Sequence, residues 1–160
     1  MKKIILMLVT LLTTTLSSCT DDRSVNVDTS SQRSDAPVYD KIDIDMTKMN
    51  ETKLSLTYDS FYTDPDYYKG KVVKMKGPFE PSPALDNIYC YPAIYLFSDP
   101  TGCCPYVLEF LLYNVPLCTM DGGNGYPLYH EEAVIVGTFQ KYYEGTYLWV
   151  HLVDALWIKE

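Results

Sequence analysis

The chain predicts a mainly β domain: a small five-stranded barrel of the oligonucleotide/oligosaccharide-binding (OB) type, with one short helix ahead of it. Three observations carry this. Five strand-like runs lie between Lys71 and Ile158, separated by residues that favour turns. Two of them end alike, in Val73-Lys-Met-Lys-Gly77-Pro-Phe79 and Val134-Ile-Val-Gly137-Thr-Phe139. A glycine inside a strand marks a bulge or sharp bend, and bends ending the first and fourth strands suit a barrel that must coil tightly. All 15 tyrosines follow position 38, and tyrosine suits half-buried sheets because its ring packs while its hydroxyl stays wet. An open five-stranded sheet covered by the helix is the alternative.

The chain begins with a targeting segment. Lys2 and Lys3 precede an apolar run, Ile4 to Leu16, and then Leu16-Ser17-Ser18-Cys19. Small residues before a cysteine after such a run read as a lipoprotein signal. The run is short and rich in threonine against the roughly 20 apolar residues of a membrane span. Residues 1–18 are therefore expected to be removed, leaving Cys19 lipidated on sulfur and amino group. Each buried methylene contributes about 0.8 kcal/mol, so several acyl chains would hold the protein at a membrane. Thr20 follows the cysteine where Asp does not, which leaves the sorting between two membranes open.

Residues 19–40 are polar, rich in Ser, Thr and Asp, and cannot bury enough surface to order themselves. They read as the lipidated flexible tether, and residues 41–160 as the barrel domain, a size that supports one core. Loss of Lys2 and Lys3, with no acid, takes the net charge from −8 to −10. So acidic a chain lacks the cations that bind phosphate backbones, which argues against nucleic acid as a partner. It also argues against a polybasic contact with anionic lipid.

The elements follow in order. Thr47 or Asn50 can cap a helix with Glu51 in its first turn, and Leu54, Tyr58, Phe61 and Tyr62 fall at helical spacing. Asp64-Pro65 starts a second short turn that Gly70 ends. The first strand, Lys71 to Phe79, places Val73, Met75 and Phe79 on one face and lysines on the other. The second, Ile88 to Ser98, contains Pro92, which demands an edge or a bulge. Asp99 to Gly102 is a turn, and Tyr106 to Tyr113 the third strand. Asp121 to Gly125 reads as a flexible loop. Glu132 to Tyr142 is the fourth strand, Glu144-Gly145 a hairpin turn, and Tyr147 to Val153 the fifth, extended by Ala155 to Ile158.

Four cysteines follow the lipidation site: Cys90, Cys103, Cys104 and Cys118. In an exported chain an even number suggests disulfides. A bond between neighbours Cys103 and Cys104 closes a strained ring and is disfavoured. Cys90 is expected near the third strand or near Cys118. The competing reading is a thiol or metal site, in which vicinal thiolates with Cys90 or Cys118, completed by His130 or Glu109, would take Zn or Cu. No C-x-x-C spacing supports it. Buried inert thiols are the third reading.

His151 shares a strand face with Tyr147 and Trp149 and is expected to be packed or at a rim. His130 precedes Glu131-Glu132 and is expected in solvent. Asp40, Asp43 and Asp45 lack the calcium-loop pattern and read as a solvated edge strand. Tyr142, Tyr143, Tyr147 and Trp149 could form an aromatic surface for a sugar or peptide, although core and rim packing is the commoner use of such residues.

Several segments carry a resemblance: Asp45-Met-Thr-Lys-Met49, Tyr68 to Phe79, Asp99-Pro-Thr-Gly-Cys-Cys-Pro-Tyr-Val-Leu-Glu-Phe110, and Val134 to Phe139 with Tyr142 and Glu144-Gly145. In this order, over about residues 42–155, the chain resembles a group of uncharacterised bacterial lipoproteins with an OB-like barrel and a vicinal Cys-Cys motif. It carries Val107 where that group has Gly. The resemblance implies the cell envelope and a barrel, and implies no reaction.

The expected function is that of a membrane-anchored, extracytoplasmic, non-enzymatic binding or assembly module, with no catalytic residues and no cofactor beyond the lipid on Cys19. The alternative is a thiol- or metal-handling envelope protein. The expected partners are the membrane, through palmitate-type acylation, and an envelope protein or a permease.

Overall fold

A computed structural model describes residues 36–83, 90–97, 101, 104–116, 118, 122–123 and 125–159. The expected signal segment 1–18, Cys19, most of the expected tether and Cys103 lie outside the described residues. The described residues belong to one compact unit, Ser34–Glu160.

The helical part forms where spacing and caps direct it. Asn50 accepts a 2.9 Å hydrogen bond from the Lys53 amide and opens α1, Glu51–Thr63. Thr47 is not the cap; it sits in a 3-10 turn, Met46–Lys48, whose cap is Asp45. Leu54 and Phe61, two turns apart, are the buried pair on α1. Pro65 begins α2, Pro65–Tyr68, where its missing N–H costs nothing. Gly70 then adopts φ +82°, a conformation that favours glycine, and turns the chain into the sheet.

A two-residue strand, β1, Ile44–Asp45, and the seven-residue β2, Val72–Pro78, open the sheet. A ribbon of β3, Ser82–Pro83, and β4, Cys90–Tyr91, leads into β5, Ala93–Leu96, and β6, Tyr106–Leu112. A second ribbon, β7, Gly122–Gly123, and β8, Tyr126–Leu128, precedes the long hairpin of β9, Glu132–Glu144, and β10, Tyr147–Ile158. The main sheet has six strands in the order β1-β2-β9-β10-β6-β5. Its neighbours are antiparallel except for β1 with β2 and β6 with β10.

The fold is thus mainly β, as the sequence predicts, but the sheet is a curled half-barrel of six strands and not a closed barrel of five. Its would-be closing edges, β2 and β5, meet through one bridge, Phe79 to Ile94, and the Glu80 amide bonded to the Ala93 carbonyl at 3.0 Å. Pro78 and Pro92 flank this seam and lack the N–H that a longer ladder needs. Further up β2, the edge is taken by β1, whose Asp43 neighbour bonds Val72 through both amide and carboxylate.

The two strand glycines mark tight approaches. A Cβ on Gly77 would lie 2.1 Å from the Tyr95 carbonyl oxygen at the β2–β5 seam. A Cβ on Gly137 would lie 2.9 Å from that of Leu152 and 3.0 Å from that of Ala155. Those two flank a break in the β10 register against β6, where Asp154 has φ +50°.

The core is apolar and layered by alternation. Val73 and Met75 from β2, Phe79 just beyond it, Leu108 and Phe110 from β6, Ile135 and Phe139 from β9, and Leu152 from β10 are all fully buried. Phe61 of α1 packs on Phe139 with ring centroids 4.8 Å apart, so the helix caps one end of the curl. Pro92 splits the expected second strand into β4 and β5. The expected loop Asp121–Gly125 contains β7, which pairs with β8.

Candidate binding site on the outer sheet face

Side chains along a strand alternate between faces, so those that miss the core define a second surface. On β6 that surface is Val107, Glu109 and Leu111; on β10 it is Tyr147, Trp149 and His151. On β9 it includes Tyr142 and Glu144. The register assembles them: Tyr142 lies opposite Trp149, Glu144 opposite Tyr147, and Glu109 level with His151 on the parallel neighbour.

One contact ties the three strands together. The Tyr142 hydroxyl donates to Glu109 Oε2 at 2.6 Å. Its ring lies on that of His151, with centroids 4.6 Å apart and planes at 35°. Beside it, the Tyr91 hydroxyl donates to Glu144 Oε1 at 2.9 Å, bridging the chain at β4 to the tip of the β9–β10 hairpin. Gly145, with φ +61°, makes that tip tight. Helix α1 closes the other flank: the Tyr58 hydroxyl donates to the Val107 carbonyl at 2.7 Å and lies 3.3 Å from the Tyr62 hydroxyl.

The electrostatics follow from burial. Desolvation pushes the Glu109 carboxyl above its ordinary value; the Tyr142 hydrogen bond partly offsets this and the Glu144 charge adds to it. The Tyr142 phenol is pushed well up, first by desolvation and then by its bond to an anion. Tyr58 is pushed well up, chiefly by desolvation. Burial alone pulls His151 below its ordinary value, favouring the neutral ring. The face therefore offers a half-buried carboxylate, a neutral imidazole and phenols that keep their protons. It is suited to hydrogen bonding and stacking.

The expected aromatic surface is divided by this geometry. Tyr142, Tyr147 and Trp149 share the outer face. Tyr143 lies opposite Leu148, which puts it on the other side. Tyr147 is 73% exposed and Trp149 39%, enough ring for contact with another molecule.

Cys90 and Cys118 form a disulfide with Cα atoms 5.5 Å apart, both buried. Their sulfurs are not thiolates, so they cannot serve the metal site considered above. Cys104 is exposed. Glu109 accepts from Tyr142, and His130 pairs with Glu80 at a backbone with φ +63°. Among the described residues no group of three or more His, Cys, Asp or Glu is arranged to hold a metal ion. Of the acidic run, Asp43 pairs with Lys41 at 2.8 Å and Asp45 with Lys48 at 2.9 Å, in keeping with a surface edge.

One member of the face carries a sequence signal other than aromatic content. Glu109 is the single charge in Tyr-Val-Leu-Glu-Phe-Leu-Leu, and a lone acid half-buried on an apolar strand is costly unless it has a partner. Tyr91 has no such signal, since its partner Glu144 lies 53 residues away. No family model matches the chain, and no curated protein or solved structure is significantly similar to it.

Proposed function

We propose that the chain is a non-enzymatic binding or assembly module of OB type, held by a lipid on Cys19 at the extracytoplasmic side of a cell-envelope membrane. The carrying observation is the Glu109–Tyr142 contact across β10, which sets a half-buried polar centre among exposed rings on a rigid sheet. Perturbed ionisable groups gathered on one surface are a mark of functional sites.

The strand order supports the OB reading. Taken in chain order, β2, β5, β6, β9 and β10 stand as 1-2-3-5-4 around the curl, with the third and fifth strands parallel. The face lies beside both the segment joining the first two of these strands, through Tyr91, and the hairpin joining the last two, through Glu144. The lipoprotein reading rests on the Leu16–Cys19 motif and on the polar stretch that follows it. An envelope protein or a permease is the partner this placement favours.

Two measurements test the reading. Radiolabelled palmitate should join the wild-type chain and not Cys19→Ser, and the variant should leave the membrane fraction; a variant still at the membrane refutes the anchor. Chemical-shift mapping against panels of saccharides and peptides should move Glu109, Tyr142, Trp149 and His151 together. Shifts confined to another surface refute the face.

A further inference from the structure

We propose that the outer face receives a cationic side chain, the ammonium or guanidinium of a lysine or arginine on a partner polypeptide. This rests on the reading of the same face as a binding site, and names its ligand chemistry.

The first argument is unfilled capacity. An ionised carboxylate accepts up to about four hydrogen bonds. Glu109 accepts from Tyr142, and Glu144 from Tyr91, both neutral phenols. Among the described residues, no lysine, arginine or histidine forms an ion pair with either carboxylate. Among the described residues, two acids close enough to repel each other thus share one face without a counter-charge. Lys141, the lysine of β9, sits opposite Val150 on the alternate face and is tied to Asp66 at 2.8 Å.

The second argument comes from the rings. A cation over an aromatic face is attracted by the ring quadrupole. This molecule makes the contact where a lysine is at hand: Lys71 lies 3.1 Å from the centre of the Tyr67 ring, and Lys159 lies 4.4 Å from that of Trp157. On the outer face, the exposed Tyr147 pairs across the hairpin with Glu144, and the exposed Trp149 pairs with Tyr142, the residue that donates to Glu109. Ring and carboxylate together fit a guanidinium, which is planar and presents five donors. The third argument is long-range: a chain of net charge −8 draws cations in and repels phosphate.

The test uses the lipidated full chain in a zwitterionic detergent. A fluorescent peptide with two arginines spaced by glycine and serine is titrated by anisotropy, beside its glutamine counterpart and a neutral chitotriose. The arginine peptide should bind, weaken with salt, and lose about tenfold in affinity in Glu144→Gln and in Glu109→Gln. The exposed position of Glu144 keeps the test open should Glu109→Gln fail to fold. Glu51→Gln, at the start of α1, should change nothing. Equal weakening by Glu51→Gln would reduce the effect to bulk charge and overturn the proposal. Binding of chitotriose or the glutamine peptide that survives both substitutions would overturn the cationic ligand and leave the binding face standing. Binding of no probe would remove both.

Discussion

The Tyr142 hydroxyl crosses the β10 strand, over the ring of His151, to donate a 2.6 Å hydrogen bond to the Glu109 carboxylate. Neighbouring strands lie about 4.8 Å apart, so reaching the second strand away takes a side chain as long as tyrosine. The contact holds three strands in one register and keeps a carboxylate in place where solvent reaches it only in part.

Removing the donor exposes what it does. In Tyr142→Phe the Glu109 carboxylate keeps its burial and loses its partner. Its pKa should rise further, because this hydrogen bond is what lowers it. Stability at neutral pH should fall by about 1 kcal/mol, the low end for an unpaired group still touching water. Carbon-13 titration of the Glu109 carboxyl, with thermal melting, checks both; an unchanged Glu109 titration would sever the link.

Neutralising the acceptor has a pH signature. The folded-state pKa of Glu109 is raised above its ordinary 4.5, so its contribution to stability is fully present below that value and is lost as pH rises through the folded pKa. Glu109→Gln should therefore escape that loss. Its melting temperature relative to wild type should be higher at pH 7 than at pH 4. A difference that is flat with pH would mean that Glu109 titrates as it does in the unfolded chain.

The seam glycine is the most constrained position in β2. Even the first carbon of a side chain at Gly77 meets a backbone oxygen, which cannot turn away. Gly77→Val should cost about 1–3 kcal/mol by overpacking, several degrees of melting temperature in a domain of this size. Gly137→Ala, whose nearest neighbours are two Cβ atoms at 2.9 and 3.0 Å, should cost less than Gly77→Ala. Calorimetry of the three variants decides the order.

The disulfide is a separate support. Cys90 and Cys118 are 28 residues apart, and their bond closes a loop that holds β5 and β6. Cys118→Ala or Cys90→Ala should lower stability by about 2–4 kcal/mol. Mass spectrometry after alkylation without reductant should leave both residues unlabelled in the wild type; labelling of either refutes the bond.

Much of the fold is legible along the chain because its causes are local. Asn50 before Glu51 and the two-turn interval between Leu54 and Phe61 specify α1, and the alternation through Val73 and Met75 specifies β2 and its buried face. The repeated Gly-x-Phe ending locates two close approaches before any contact is known. Less legible are the short ribbons: Gly122-Gly123 reads as a loop because glycine has no strand preference of its own, and it becomes a strand only by pairing with Tyr126–Leu128.

The sequence by itself determined most of the strand and helix identities, the apolar core and the acidic charge. These follow from capping, two- and 3.6-residue periods and composition, which act over a few residues. Only the tertiary structure decided that the sheet curls without closing, and that Tyr142 meets Glu109 while Tyr143 turns away. Those outcomes depend on pairings between residues far apart in the chain, on the parallel register of β6 with β10 and on the Asp154 bulge. A shift of one residue in any of them moves every side chain to the opposite face, and no local preference reports it.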